Sequence, residues 1–123
     1  MLSGEIPDTG NLRGDVLAVL RRISAGLAEL GPETFYGLLG DYFADPALVP
    51  DLQAQVLQTG NEVMATILKR AAGRGEARDD IPPRVATLPI DLLRHELFRS
   101  LAPPSERAMT EIVDEVFLPL VQR

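Results

Sequence analysis

Few residues in this chain are equipped for covalent chemistry. His95 is the single histidine and there is no cysteine, which excludes disulfides, thiolate metal sites and cysteine nucleophiles. A Ser-His-Asp arrangement would have to be built on His95, and the strand-to-helix elbow that exposes such a serine has no strand to start from. Gly73-Arg74-Gly75 lacks the spacing of a phosphate cradle. Asp79-Asp80 is an acidic pair that would suit a cation, but in an Arg-rich loop with no second ligand cluster it reads as solvated. The expectation is a protein without catalytic residues, metal or cofactor.

What remains is recognition chemistry. Phe35, Tyr36, Tyr42 and Phe43 are four of the six aromatics and share one wide helical face with Leu39. That face has two readings: core, or the wall of an apolar pocket in which two Tyr hydroxyls orient a ligand. Leu57, Met64 and Leu68 would add adaptable wall or simply fill the core. Arg94 lies inside an apolar arc, where a guanidinium needs a carboxylate, a partner subunit or a ligand anion unless it snorkels to water. His95, at the edge of that arc, is either a structural histidine or a hydrogen-bonding group for a ligand. With Phe98 on the same stretch, these residues make up the candidate ligand-binding set.

Helices must position them. Pro and Gly punctuate five segments, and in four of them the apolar residues repeat at helical rather than strand spacing. From Asn11 to Leu30, the residues Leu12, Val16, Val19, Leu20, Ile23, Leu27 and Leu30 fall on one arc, opposite Arg13, Asp15, Arg22 and Glu29. Gly31-Pro32 opens the aromatic segment, 32–44. Asp45-Pro46 and Pro50 precede a long helix from Asp51 to about Gly73, and a polar loop follows to Ile81. Pro82-Pro83 starts a fourth helix that Pro89 kinks or divides. Its stronger half, Ile90 to Leu101, carries Ile90, Leu93, Leu97, Phe98 and Leu101 on one arc. Ser105 caps a fifth helix striped by Met109, Ile112, Val113, Val116, Phe117 and Leu120, before Pro119 disturbs its last turn.

The chain has 123 residues, 46% of them hydrophobic, which suits one domain with a genuine core. A net charge of -6 and a pI near 4.7 oppose direct binding to a polyanion. Arg21-Arg22 and Lys69-Arg70 with Arg74 and Arg78 are interspersed with acids and read as solvated faces. No stretch approaches the roughly 20 apolar residues of a membrane span, and Met1 to Asn11 lacks the pattern of a secretory signal, so a soluble cytoplasmic protein is expected.

Two motifs carry a resemblance. Asp8-Thr9-Gly10-Asn11-Leu12-Arg13-Gly14-Asp15, opening a helix, resembles the start of a common class of C-terminal domains of TetR-family (tetracycline-repressor-like) transcriptional regulators. Arg70-Ala71-Ala72-Gly73-Arg74-Gly75-Glu76-Ala77-Arg78-Asp79-Asp80 is similar to the basic-Ala-x-x-Arg-Gly-Glu-x-Arg-x-Asp run that ends the long helix in those regulators. Asp45-Pro46 and the two terminal helices follow the same plan, so the resemblance covers almost the entire chain.

The resemblance implies an all-α, five-helix orthogonal/antiparallel bundle over residues 1–123, a ligand-binding and dimerisation domain that pairs through its last two helices. Ile90, Leu93, Arg94, Leu97, Leu101, Met109, Ile112, Val113, Val116, Phe117 and Leu120 would then line the homodimer interface. A small apolar or amphipathic effector would enter a cavity among the first four helices and favour one of two dimer geometries, setting the separation of two DNA-reading heads. Repression relieved by ligand is typical of the family. The sequence holds no helix-turn-helix head, so DNA is a partner only through that missing domain, and a fragment is expected rather than a naturally short protein. Pro119 departs from the pattern, in which the last helix often continues. The rival reading is a helical homodimeric interaction module that binds no effector.

Overall fold

Helix α1 spans Leu12–Glu29. It starts where Asn11 Oδ1 accepts a hydrogen bond from the Gly14 N–H at 2.7 Å, satisfying one of the donors a helix leaves free at its first turn. In the computed structural model the described residues are 5–29, 33, 34, 37 and 50–122, with side chains described from residue 60 onward in the last stretch. The aromatic segment 32–44 therefore lies almost wholly outside the described residues.

Helix α2, Pro50–Gly73, ends in a left-handed turn. Gly75 sits at φ +80, its N–H donates to Ala72 O at 3.1 Å, and the Glu76 N–H reaches back to Ala71 O at 2.9 Å. This is the six-to-one and five-to-two bonding that closes a helix on a glycine, because other residues resist a positive φ. The chain then runs without helix to α3, Pro83–Ala86, and α4, Leu88–Ser100. Thr87 separates these two, as expected of Pro89, whose missing N–H and ring oppose a continuous helix. The last arm is α5, Glu106–Glu111, a π-helical segment, Ile112–Phe117, and α6, Leu118–Val121. Ser105 caps it through Oγ, which accepts from the Ala108 N–H at 3.1 Å. Among the described residues there is no strand; the all-α class expected from the sequence holds, with a lone antiparallel bridge between Ala77 and Gln122.

Helix α1 is the central element, touching α2, α4, α5 and the π segment. Val16, Leu17, Val19 and Leu20 meet Met64, Ile67 and Ala71 of α2, Leu93 of α4, and Val113, Phe117 and Val121 of the last arm, all in one buried cluster. Each fully buried side chain of this size contributes about 1.5–3 kcal/mol, against about 0–1 kcal/mol for an exposed ion pair, so packing decides the architecture.

Two expectations need correction. The stripe on the last arm does not stay in helical register: Met109, Ile112, Val113 and Phe117 are buried, but Val116 and Leu120 are exposed and Leu118 and Val121 take the inner positions. The cause is the wide turn, where the Leu118 N–H bonds Val113 O five residues back. Pro119 cannot donate, and its ring would crowd the carbonyl of Glu115 in a regular helix; widening relieves both and lets the arm continue to Val121. Asp15, placed by periodicity on the polar side of α1, has no exposed surface at all.

At the surface, α1 is tied to the last arm by two ion pairs. Arg13 Nε donates to Asp114 Oδ1 at 2.7 Å, and the Arg21 guanidinium clasps the Glu106 carboxylate. Hydrogen bonding by these arginines, and secondarily their charge, holds Asp114 and Glu106 below the usual carboxylate range. Carboxylates depressed in the folded state stabilise it above their unfolded values of about 3.9–4.3 and lose that contribution as pH falls through the lower folded values. The double variant Arg13→Gln/Arg21→Gln is expected to be less stable than wild type near neutrality in low salt, with the gap closing as pH drops below about 4. Urea denaturation across pH checks this, and a gap that persists unchanged into acid contradicts it.

Candidate functional site

Two concavities stand out among the described residues. The larger, about 1110 Å³, is an open groove where the later half of α2 faces the 78–81 segment, α3 and the start of α4. It exists because the turn at Gly75 sends the chain back alongside α2. Its apolar lining includes Leu68, Ala65, Ala72 and Ile81, and Lys69, Arg78 and Arg84 supply positive charge beside Asp79 and Asp91. Arg78 is fixed there, donating through Nε to Leu120 O at 3.1 Å and through Nη1 to Asp80 at 3.3 Å.

The smaller groove, about 670 Å³, runs between α4 and the last arm. Leu92, Ile112 and Val116 form its apolar part; His95, Glu96 and Arg99 border it. Arg99 Nη2 donates to Glu96 Oε1 at 2.6 Å, and this hydrogen bond, followed by the charge of Arg99, lowers the Glu96 pKa.

The candidate ligand residues are distributed between these places. Phe35, Tyr36, Leu39, Tyr42 and Phe43, and the side chain of Leu57, lie outside the described residues. Met64 is fully buried in the core, and Leu68 is buried with an edge on the larger groove. Arg94 reaches a carboxylate on its own helix, Asp91, at 3.6 Å with both partly exposed. His95 is exposed on the smaller groove, and Phe98 is half-buried. Leu68 and His95 thus border different concavities. Of the candidate interface residues, Leu93, Met109, Ile112, Val113 and Phe117 are buried within the subunit, Ile90, Arg94 and Leu97 are intermediate, and Leu101, Val116 and Leu120 are exposed.

A third feature was not legible in the helical pattern: the two sequence motifs meet. The Thr9 N–H and Thr9 Oγ1 both donate to Asp15 Oδ1, at 2.5 and 2.7 Å, folding the 5–11 strap over the first turn of α1. Arg74, from the end of α2, stands 3.6 Å from Asp15 Oδ2 and donates to Glu76 at 2.7 Å. The hydrogen bond with Glu76, and to a lesser degree the charges of Glu76, Asp15 and Asp8, raise its pKa. Arg70 reaches Pro7 O at 3.5 Å. Lys69, Arg70 and Arg74 are solvent-exposed, as expected of a solvated face, and three arginines of the run, Arg70, Arg74 and Arg78, also tie elements together.

Residues 6–116 match the family model for tetracyclin repressor-like C-terminal domains. The chain belongs to that family. Neither a curated protein nor a solved structure matches it. As a TetR-type C-terminal domain it is a module of transcription regulators, and the junction of Thr9, Asp15 and Arg74 is where the segment ahead of α1 is fastened to the bundle. No helix among the described residues is long and apolar enough to cross a membrane, and no group of three acids or histidines there is placed to hold a metal ion.

Gly14 tests the packing at this junction. A Cβ on Gly14 would collide with the Thr9 hydroxyl and press on Asn11 Oδ1. Gly→Ala within a helix ordinarily stabilises by about 0.5–1 kcal/mol. Here Gly14→Ala is expected to have the opposite sign, costing about 1–3 kcal/mol as the buried Asp15 loses its donors. Chemical denaturation measures it, and a stabilised variant would overturn the packing described.

Proposed function

We propose that this domain binds a small apolar or amphipathic effector, homodimerises through its last two helical arms, and passes the effector's preference between dimer geometries to a DNA-reading helix-turn-helix head. Family membership supports the reading, and one observation carries it. The large apolar side chains left exposed among the described residues, Leu101, Val116 and Leu120, all lie on α4's end and the last arm, at 38 to 47% exposure. Leu101 is also held at φ 53, a left-handed conformation that costs a non-glycine residue roughly 1–2 kcal/mol. Covering by a second copy gives these side chains a use, with Ile90, Arg94 and Leu97 completing the interface.

The groove along α2 is the described part of the proposed effector site, with Leu68 as its apolar wall. Phe35, Tyr36, Leu39, Tyr42, Phe43 and Leu57 are proposed as the remaining wall, with Arg94 and Phe98 as contacts from α4; His95 borders the smaller groove instead and would meet an effector only there. The effector acts by binding one dimer geometry more tightly than the other; without that difference it shifts nothing.

Light scattering at micromolar concentration is expected to give twice the chain mass for wild type and the chain mass for Val116→Glu/Leu120→Glu, since permanent interfaces commonly exceed about 2,000 Å². A monomeric wild type contradicts the dimer. For the effector, a panel of medium-chain alcohols, carboxylates and aromatic amphiphiles is expected to contain members that raise the melting temperature, by about 2.7 kcal/mol of added stability at one hundred times Kd. Ala65→Trp, which fills the groove from an exposed position, should remove the response. A wild type unmoved by the whole panel favours an interaction module without effector, and an unaltered response in Ala65→Trp places binding elsewhere.

A further inference from the structure

Asp15 uses only half of its buried carboxylate. Oδ1 accepts both Thr9 donors, while Oδ2 has no hydrogen-bond partner. The cation facing it is Arg74, whose Nη2 stops at 3.6 Å, short of the roughly 2.7–2.9 Å of a charge-assisted hydrogen bond. Arg74 is engaged instead with Glu76, Nε to Oε2 at 2.7 Å, and Glu76 owes its position to the left-handed turn at Gly75. One guanidinium thus stands between an accessible carboxylate that it holds and a buried one that lacks a donor. On the other side of Asp15 hangs the strap, residues 5–11, fastened further by Arg70 to Pro7 O and by Arg22 to Glu5 O.

We propose that Arg74 is a two-position latch that sets how firmly the strap is held on the bundle. Turned to Glu76, it adds only a 3.6 Å ion pair with Asp15 to the ties the strap has from Thr9, Arg70 and Arg22. Turned to Asp15, it completes the buried carboxylate, fixes the side chain that Thr9 grips, and tightens the strap. Because Ala72 and Arg78, on either side of Arg74, line the larger groove, a ligand there biases the latch; this last step rests on the effector reading, whereas the latch itself does not.

Residue-resolved amide hydrogen exchange on the whole chain, without ligand, tests the latch. The Thr9 amide reports on the strap directly, since its hydrogen bond ends on Asp15. Glu76→Gln removes the competing charge and is expected to slow Thr9 exchange roughly three- to tenfold, while Arg74→Gln speeds it by a similar factor, with α4 amides unchanged in both. If Arg74 only braces its own loop, both variants loosen the Gly75 and Glu76 amides and Thr9 does not respond. Should Arg74→Gln fail to fold, Glu76→Gln/Asp15→Asn replaces it, and the slowing seen in Glu76→Gln must vanish. Shifts of Thr9 in the same direction in the two single variants, or none in either, overturn the latch; such a result leaves ligand-dependent melting, and with it the effector reading, untouched.

Discussion

A carboxylate with no exposed surface has to be answered by donors inside the protein, because an unpaired buried charge is among the costliest features a fold can carry. Asp15 is that carboxylate here. Its presence in the first turns of α1 dictates that Thr9 folds back over the helix, that position 14 carries no side chain, and that Arg74 is delivered from the far end of α2. Three separate stretches of sequence thereby become one junction. Residues 5–11 cannot move without disturbing it.

Around this junction the bundle is organised by apolar burial. Helix α1 is gripped on several sides, and its inner face, Val16 to Leu20, meets the inner faces of α2, α4 and the last arm. Surface ion pairs and the Ser24 bond to Pro104 O, 2.8 Å long, orient the arms but add little by comparison. The last arm shows how a single residue redirects a surface. Pro119 forces a wide turn, the turn advances the buried register by one residue, and Val116 and Leu120 are left outward, as Leu101 is at the end of α4.

The sequence therefore told part of the story well and part of it not at all, for identifiable reasons. Helix limits were readable where a capping residue or proline marked them, as at Asn11, Pro83 and Ser105, and Pro89 marked a division that falls at Thr87. Periodicity at a constant 3.6 residues per turn failed where the helix itself changed period, between Ile112 and Phe117. It also failed for Asp15, since periodicity speaks only of neighbouring helices and not of a strap lying across the first turn. The arginines after Lys69 are largely solvent-facing as read, but their ties were not legible, because composition records charge and not which carbonyl or carboxylate lies within reach: Arg78 finds Leu120 O, and Arg74 finds Glu76. Of the ligand residues, Leu68 reaches a groove, but its relation to the aromatics at 35–43 is a matter of residues outside the described set.

The central claim is that the two motifs form one energetic unit through Asp15 and Arg74. A double-mutant cycle built from Asp15→Asn, Arg74→Gln and the two combined, with unfolding free energies from urea titration, measures that coupling directly. An interaction energy of about 1–2 kcal/mol is expected for groups in one salt-bridge network with a buried member. Additivity within about 0.3 kcal/mol would show that the motifs are neighbours without being partners, and would contradict the account.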